Sequence, residues 1–495
     1  MLDLFVGLAI ALGLFLLVRG IAARARRNPH RLPVPPGPKG LPLLGNIYQL
    51  PQTVPWEGYD KLCKEYGDII YLKALGQGLI VLGSQQRVVD LLDKKAVNFS
   101  DRPSLPVHEL MDINWSFAAM PYGAAWRQYR RNFHQYLNNN AVQEYHPIMH
   151  EETKNFLRKL KSNPDQIFEG VQFLFGTAIM RAAYGFDDIR QNESLIHIAE
   201  ALVHEMAESA VPGRFLVNNF TPLKYIPSWF PGAGFKKHFK MVAQMSFEVV
   251  HRPFEEAKRD VDDGRKSSYP SMAHSFIDRL PEDSDPTRAE LEEIARSVCA
   301  IAYLAGAETT VSSATALLYA LASYPEIQAK AQAEIDKVIG SDRLPLVKDR
   351  GELPYVHAIL KEVSRWYTVA PLGVAHSNTE DDEYDGYFIP KGTIIIQNNW
   401  AILHNPEVFD KPFEFIPERY LKDGEIDPSV PDPDIAAFGH GRRICPGRHF
   451  SNDGLFVMAA SLLATYSIAA PKDKEGKVVP MKLELKNPVV SARFD

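Results

Sequence analysis

A single cysteine, carried by a glycine-rich loop at the start of a helix, is the feature that most constrains how this chain can fold. Residues 437–447 read AFGHGRRICPG, and an apolar helical pattern follows from about residue 450 to 466. Proline is tolerated in the first turn of a helix, and the unpaired amides there lower the pKa of a thiol. The position therefore suits Cys445 as a thiolate ligand, and Gly441 and Gly447 leave room for a flat macrocycle.

Three other interpretations of this loop stay open from the residues alone. A lone cysteine is more often a small buried hydrophobic residue than a ligand. The segment 439–441 could bind phosphate, although the third glycine of a dinucleotide fingerprint is missing. Cys445 and His449 could form half of a zinc site, although no second pair of cysteine or histidine accompanies them.

The same loop resembles the haem-binding signature of the cytochrome P450 family. Phe438, Gly441, Arg443, Cys445 and Gly447 occupy its five fixed positions. The resemblance implies haem b as the cofactor, with Cys445 as the axial iron ligand, whose thiolate favours O–O cleavage. It also implies that Phe438 and Gly447 belong to the cofactor-binding loop, and that Arg443 pairs with a haem propionate.

An apolar pattern at about 294–321 contains AGAETT at 305–310 and resembles the oxygen-binding helix of the same family. The resemblance implies that Thr309 and Glu308 are catalytic and relay protons to dioxygen. Ala305 and Thr309 share one helical face, and Gly306 weakens the helix where dioxygen must fit. The competing interpretation is that Thr309 bonds back to a helical carbonyl while Glu308 caps a pocket or reaches solvent.

Another segment, at 122–130, resembles the family's helix beside the haem propionates. The resemblance implies cofactor-binding roles for Trp126 and Arg130, and His376 occupies a position where the family often has a further propionate contact. Without the resemblance, the segment is an exposed basic helix end.

Glu362 and Arg365 are three residues apart and can pair on one helical face. Alone, this is a common surface pair of little energetic worth. The resemblance adds Arg419 as a third partner and implies that the three residues form a structural network, not a catalytic one.

The N-terminus has the pattern of a membrane anchor. Residues 4–18 are apolar or glycine throughout, and a snorkelling Arg19 would let a helix run to about Ala23. The alternative is a cleaved signal peptide, but no positive charge precedes the apolar run and five arginines follow it. We therefore expect a single-pass anchor in the endoplasmic reticulum membrane, with the catalytic domain facing the cytosol.

Composition and linker patterns define the rest of the chain. Its 495 residues are 45% hydrophobic and 23% charged, which excludes disordered and coiled-coil classes. Five prolines in residues 32–42 predict a stiff spacer. We divide the chain into an anchor (1–23), a basic and proline-rich hinge (24–46) and one haem-thiolate monooxygenase domain (47–495).

The periodicity after the hinge predicts a mainly α (α+β) fold. Residues 122–341 are mostly helical in pattern, whereas strand-like runs occur near 69–82, near 387–396 and in a hairpin from about 483 to 494. The resemblance implies the cytochrome P450 fold, with long helices around haem and small sheets near the two ends of the chain.

Net charge and cysteine content limit the class of partner and the cellular compartment that fit this chain. A net charge of −6 argues against nucleic acid as a partner. Three widely spaced cysteines form no disulfide framework, which fits a reducing compartment.

The resemblance implies a monooxygenase that oxidises a lipophilic small molecule with dioxygen and electrons from an NADPH–cytochrome reductase, with a cytochrome b-type protein as an optional donor. Two alternatives are an isomerase or dehydratase that needs no reductase, and a non-enzymatic haem-thiolate sensor. Relatives of the first kind often lose the Glu308–Thr309 pair, which is intact here. The resemblance assigns pocket-lining roles to five mostly apolar segments: 105–120, 207–220, 301–309, 369–374 and 489–491.

Segment 211–237 is similar to that of fungal microsomal members of secondary metabolism. The similarity favours a terpenoid, polyketide or alkaloid substrate. Aromatic residues with interleaved lysines between Phe215 and Phe239 also suit a membrane interface. The competing interpretation is a proline-broken loop packed on its own core.

Overall fold

Helices make up most of the structure, a computed structural model that describes residues 26–187, 193–209, 213–265, 267–481, 483–485 and 492–494. The first half of the chain forms α1 (Pro55–Tyr66), α2 (Gln85–Val88), α3 (Ala96–Phe99), α4 (Pro106–Leu110), α5 (Ala124–Leu137), α6 (His146–Ser162), α7 (Ile167–Tyr184) and α8 (Glu193–Ser209). The second half forms α9 (Gly234–Asp262), α10 (Met272–Ile277), α11 (Arg288–Ser323), α12 (Pro325–Val338), α13 (Pro354–Trp366), α14 (Asn399–Leu403), α15 (Asp434–Ala437) and α16 (Arg448–Leu463). The mainly helical architecture predicted from the sequence is confirmed.

The strands form one four-stranded sheet and three two-stranded pairs in the described residues. They are β1 (Ile69–Ala74), β2 (Gln77–Leu82), β3 (His376–Ser377), β4 (Asp382–Tyr384), β5 (Tyr387–Ile389), β6 (Ile394–Gln397), β7 (Leu421–Lys422), β8 (Glu425–Ile426), β9 (Leu483–Leu485) and β10 (Ala492–Phe494). The larger sheet has the order β1-β2-β6-β3, with β2 and β6 parallel. Early strands thus pair with late ones rather than forming a separate sheet. This pairing could not be predicted, because register between distant segments leaves no local sequence pattern. β9 and β10 are antiparallel, as the predicted hairpin requires.

The 36-residue helix α11 lies at the centre because its side chains are apolar or small on nearly every face. Its first half packs in one apolar cluster with α7 and with residues such as Phe117 and Phe133. Its last turns pack in a second cluster with Phe456 and Leu455 of α16. The middle of the helix, around residues 305–309, lies between these two clusters.

The proline-rich segment is bound to β1 of the four-stranded sheet and to β5 of the β4-β5 pair, so its interpretation as a spacer is corrected. The carbonyl of Pro36 accepts a hydrogen bond from the Tyr71 amide at 2.8 Å, and that of Pro33 accepts one from Phe388 at 2.8 Å. A Cβ on Gly37 would lie 2.3 Å from the Tyr71 carbonyl oxygen, so this approach requires glycine. These contacts join segments that are distant in the sequence, where proline spacing carries no information.

The proposed anchor, residues 1–23, lies outside the described residues. Within the described ranges, no helix combines the length and the apolar character needed to cross a membrane. The boundaries of anchor, hinge and catalytic domain stay a prediction.

Candidate active site

Backbone hydrogen bonds hold the cysteine loop in shape. The Cys445 amide donates to the Phe438 carbonyl at 2.7 Å, and α16 begins three residues after the cysteine. Burial raises the pKa of the Cys445 thiol, whereas the amides of Gly447 and Arg448 and the cation of Arg130 act in the opposite direction. These donors are the ones that a thiolate ligand requires.

Two glycines of the loop have different roles. Gly441 has a φ of +55°, and a Cβ there would lie 2.1 Å from the Leu92 carbonyl oxygen. Gly441 is therefore needed for the turn and for packing, and its assignment as room for a macrocycle is corrected. A Cβ on Gly447 would meet nothing within 4 Å, so the backbone there is open to a flat ligand.

Arg443 extends from the loop into a cradle of backbone carbonyls. Its guanidinium donates to the carbonyls of Ser100, Phe117 and Met120 at 2.8, 3.1 and 2.7 Å. The guanidinium carbon lies 4.5 Å from the centroid of the Trp126 ring on α5, within cation–π range.

Two further arginines lie beside this cradle. Arg130 on α5 donates to the carbonyl of Ile444, next to the cysteine, at 2.5 Å. Arg102 donates to the carbonyls of Ala118 and Val374 at 2.9 and 2.7 Å. Sequence reasoning missed Arg102. The available signal was only an arginine directly before a proline, Pro103.

The positive charge of these arginines has no matching negative charge in the described part of the chain. No carboxylate of the described residues forms an ion pair with Arg102, Arg130 or Arg443, and Asp101 acts on Arg102 and Arg443 only at longer range. Burial lowers the pKa of Arg130 and of Arg443 to about 10. Buried cations without a neighbouring negative charge are costly, even when they bond to backbone carbonyls, so the site is suited to a bound anion.

The unpartnered indole nitrogen of Trp126 also points to a ligand. This Nε1 atom is buried and has no hydrogen-bond partner in the structure. One indole donor and three guanidinium groups match the two carboxylates of a haem group, and the cysteine beside them matches its iron. The residues present therefore fit haem b.

His376 on β3 is buried, with its Nδ1 2.8 Å from the Phe99 carbonyl oxygen. Burial, followed by the charge of Arg102, holds the pKa of His376 well below its usual range. The imidazole is therefore neutral and donates from Nδ1. Its role as a propionate contact stays a prediction.

The middle of α11 borders open space on one side. Ala305 is exposed, although Tyr303 and Leu304 just before it are buried. A Cβ on Gly306 would lie 2.9 Å from Ile179 of α7. The helix continues unbroken through Gly306, so the glycine serves close packing of α7 and α11 rather than a weakened helix.

Thr309 and Glu308 lie in this part of α11, beside the open space. The Thr309 hydroxyl donates to the Ala305 carbonyl at 2.8 Å, as the competing interpretation expected. Its oxygen lone pairs are left to accept a hydrogen bond. The Glu308 carboxyl group makes no hydrogen bond or ion pair with any described residue. Burial, and then the negative charge of Glu200, raise the pKa of Glu308 to about 7.

The structure brings Glu362, Arg365 and Arg419 together in the interior. Arg365 donates to both carboxylate oxygens of Glu362 at 2.8 Å, and both side chains are fully buried. The Arg419 Nε donates to the same carboxylate at 3.2 Å. The remaining Arg365 donors bind the carbonyls of Leu403, Pro412 and Glu414 at 3.0, 2.7 and 3.1 Å. The three side chains therefore join α13 to the segment before α15.

Comparison with known proteins adds independent findings. A family model described as cytochrome P450 matches residues 35–490. Cytochrome P450 monooxygenase COX1 of Coprinopsis cinerea is 51% identical over 478 residues, which cover 96% of this chain and 92% of the relative. Cytochrome P450 monooxygenase COX2 of the same fungus is 43% identical over 91% of this chain and 85% of its own length. Tryptamine 4-monooxygenase of Psilocybe cyanescens is 35% identical over 92% of this chain and 90% of its own.

Proposed function

Because the chain belongs to the cytochrome P450 family and is a monooxygenase of that family, we propose that it oxidises a lipophilic small molecule of secondary metabolism with electrons from an NADPH–cytochrome reductase. The observation that carries the proposal is the cysteine loop beside three buried arginines that lack carboxylate partners. This arrangement is suited to a flat dianionic cofactor with an iron centre.

The residues of the site divide into those that hold haem b and those that serve the reaction. Cys445 would bind the iron, while Arg443, Arg130, Arg102 and Trp126 would bind the propionates. When bound, haem supplies the one-electron and dioxygen chemistry of the reaction.

Protons for the reaction would come from the middle of α11. Glu308 has a pKa of about 7, so near neutral pH it can both hold and release a proton at its carboxyl group. The Thr309 hydroxyl, bonded to the Ala305 carbonyl, would orient a water molecule through its free lone pairs.

A lipophilic substrate is supported by the side chains near α11. Buried apolar residues of the 105–120 segment, among them Met111, Ile113 and Phe117, share one cluster with Ile301 and Leu304 of α11. The last pocket-lining segment, 489–491, lies outside the described residues. One relative bears the name tryptamine 4-monooxygenase, and we propose a terpenoid, polyketide or alkaloid substrate for this chain.

We further propose that residues 1–23 anchor the protein in the endoplasmic reticulum membrane, with the catalytic domain in the cytosol. The same membrane would hold the reductase and any cytochrome b-type donor. The sequence pattern of the apolar run and the arginines after it supports this placement.

The test is turnover by membranes that contain the full chain and a reductase. A panel of terpenoids, polyketides and indole alkaloids is incubated under labelled dioxygen, with and without NADPH. We expect a product that carries one labelled oxygen atom only when NADPH and reductase are present, and none from the Cys445→Ser variant. A product formed equally without NADPH or reductase would instead assign the chain to the isomerase or dehydratase class.

A further inference from the structure

A cavity of about 270 Å³ opens between α5, α9, the first turns of α11 and the segment that joins α4 to α5. Its volume is close to the lower end of the range of small-molecule pockets, roughly 300–1,000 Å³. Glu293 lines it from α11 and precedes Thr309 by 16 residues, which is about 24 Å of helix. The cavity is therefore separate from the open space beside residues 305–309.

Three aromatic side chains line the cavity: Trp115, Tyr129 and Phe247. The Trp115 Nε1 donates to the Ser246 hydroxyl at 2.8 Å, and this hydroxyl donates to the Asp112 carbonyl at 2.6 Å. These bonds fix the Trp115 ring before a ligand arrives, so little freedom is lost on binding. The faces of such rings attract organic cations.

The cavity also carries negative charge that the described part of the protein balances only in part. The Asp112 carboxylate is exposed, and no described residue donates a hydrogen bond to it or forms an ion pair with it. Arg296 and Lys258 are the cations that pair with the carboxylates near the start of α11. Those carboxylates are Glu255, Glu292 and Glu293. One negative charge of this group and that of Asp112 therefore remain unmatched.

His251, which also lines the cavity, adds no positive charge near neutral pH. Its ring stacks on Phe247, with centroids 4.1 Å apart and planes inclined by 21°. Burial, followed by the charge of Arg296, lowers the pKa of His251 below its usual value, although nearby carboxylates act in the opposite direction. A neutral imidazole stacked on Phe247 does not repel a bound cation.

We propose that this cavity binds a small organic ammonium ion, with the aromatic rings against its cationic head and Asp112 and Glu293 beside its charge. A metal ion is disfavoured, because the described residues contain no group of three or more histidine, cysteine, aspartate or glutamate side chains placed to hold one. A phosphocholine lipid headgroup carries the same kind of cation, but its phosphate would be repelled by the two carboxylates. The ligand is therefore a free ammonium compound.

The test is isothermal titration calorimetry of the holoenzyme at low ionic strength, with choline as the probe. The uncharged 3,3-dimethylbutan-1-ol has nearly the same shape as choline, and phosphocholine represents the lipid headgroup. We expect choline to bind at least about tenfold more tightly than either of them. Choline should leave the position of the Soret band unchanged, because the cavity is separate from the cysteine loop.

Asp112→Asn should weaken choline binding about fivefold, because it removes the unmatched charge. The backbone tolerates this change, since Asp112 has a φ of +51° and asparagine adopts this left-handed conformation readily. Phe247→Leu should weaken binding about threefold through the loss of one ring. The matched control is Glu248→Gln, which removes the same charge from a side chain that bonds to Gln244 at 3.1 Å, and it should bind choline like the unaltered protein.

Equal binding of choline and its uncharged analogue would overturn the proposal, as would unchanged choline binding in both Asp112→Asn and Phe247→Leu. Equal binding of phosphocholine would assign the cavity to a lipid headgroup and overturn the free cation as the ligand. A Soret shift caused by choline would place the cation beside haem and refute the site. None of these measurements requires turnover, so their outcome is independent of the proposed oxidation.

Discussion

At the scale of single residues, the site contains more positive charge than the described protein balances. Arg102, Arg130 and Arg443 are largely buried and bond only to backbone carbonyls. Removing a bound anion from such a site leaves several cations desolvated and unpaired. We therefore expect the site to be the least stable part of the protein when haem is absent.

Cys445→Ser should abolish the thiolate signature of the bound cofactor. A hydroxyl does not ionise near neutral pH, even with the amides of Gly447 and Arg448 nearby. The measurement is the red-shifted Soret band of the reduced carbon monoxide complex. Cys63→Ser and Cys299→Ser are the controls, because both thiols are buried in apolar surroundings where burial raises their pKa. A normal band in Cys445→Ser would refute the assignment of the axial ligand.

Thr309→Ala should separate electron consumption from product formation. The variant keeps the helix but loses the oxygen that would orient a water molecule, so product per NADPH should fall about tenfold while peroxide rises. The control is Ser313→Ala, one turn further along α11, whose hydroxyl lies 3.5 Å from the Thr309 carbonyl oxygen. Equal coupling in both variants would show that another donor serves the reaction.

At the scale of elements, one carboxylate organises the region between α13 and the 3-10 turn Pro417–Tyr420. Glu362 accepts hydrogen bonds from Arg365, from Arg419 and from the Ile416 amide at 2.9 Å. All three nitrogens of the Arg365 guanidinium donate to groups inside the protein. Satisfied buried networks fix one arrangement of their elements.

Glu362→Ala should prevent stable haem incorporation rather than slow one catalytic step. Leaving the Arg365 charge buried and unpaired costs about 3–5 kcal/mol. Haem content per folded protein and the urea midpoint of unfolding measure this effect. The control is Lys64→Ala, which breaks an exposed pair with Asp60 on α1 and should change stability by less than about 1 kcal/mol. Full haem content in a folded Glu362→Ala protein would contradict the expectation.

Local sequence patterns predicted the helices and strands better than they predicted the contacts between these elements. The strands β1, β2, β5 and β6 and the helices α5, α11 and α16 follow from periodicity, because it reports which faces are buried. The role of Gly441 could not be predicted, since it depends on the Leu92 carbonyl in a distant segment. Arg102 was missed for the same reason, as its partner Val374 lies 272 residues further along the chain.

At the scale of the whole molecule, the segment 215–239 has both an inner and an outer side. Phe239 is buried and packs edge-on against Phe215, with ring centroids 4.9 Å apart. Tyr225 and Trp229, in contrast, are 75% and 80% exposed, and Phe230 is half exposed. Core packing thus accounts for only part of the segment, and its outer aromatic residues suit a membrane interface.

Deleting residues 1–25 should leave part of the protein bound to membranes. We expect the truncated protein to float with vesicles that contain anionic lipid, because exposed Lys237 and Lys240 accompany the outer aromatic residues. Changing Trp229 and Phe230 together to serine should release it. The matched control changes Val97 and Phe413, which are 70% and 66% exposed elsewhere on the surface. If the truncated protein stays in solution at low and at high salt, the outer aromatic residues do not bind membranes, and the proposed N-terminal helix is the anchor.

The proline-rich segment has a mechanical consequence for the membrane-anchored enzyme that we propose. Hydrogen bonds tie it to β1 and β5, and Arg27 ahead of it forms a bidentate pair with Asp381 at 2.5 and 2.7 Å. A segment that is bound along its length holds the catalytic domain in one orientation, whereas a free linker would let that domain rotate. The catalytic body would therefore be held at one tilt on the bilayer, and a substrate leaving the lipid would meet the same face of the protein each time.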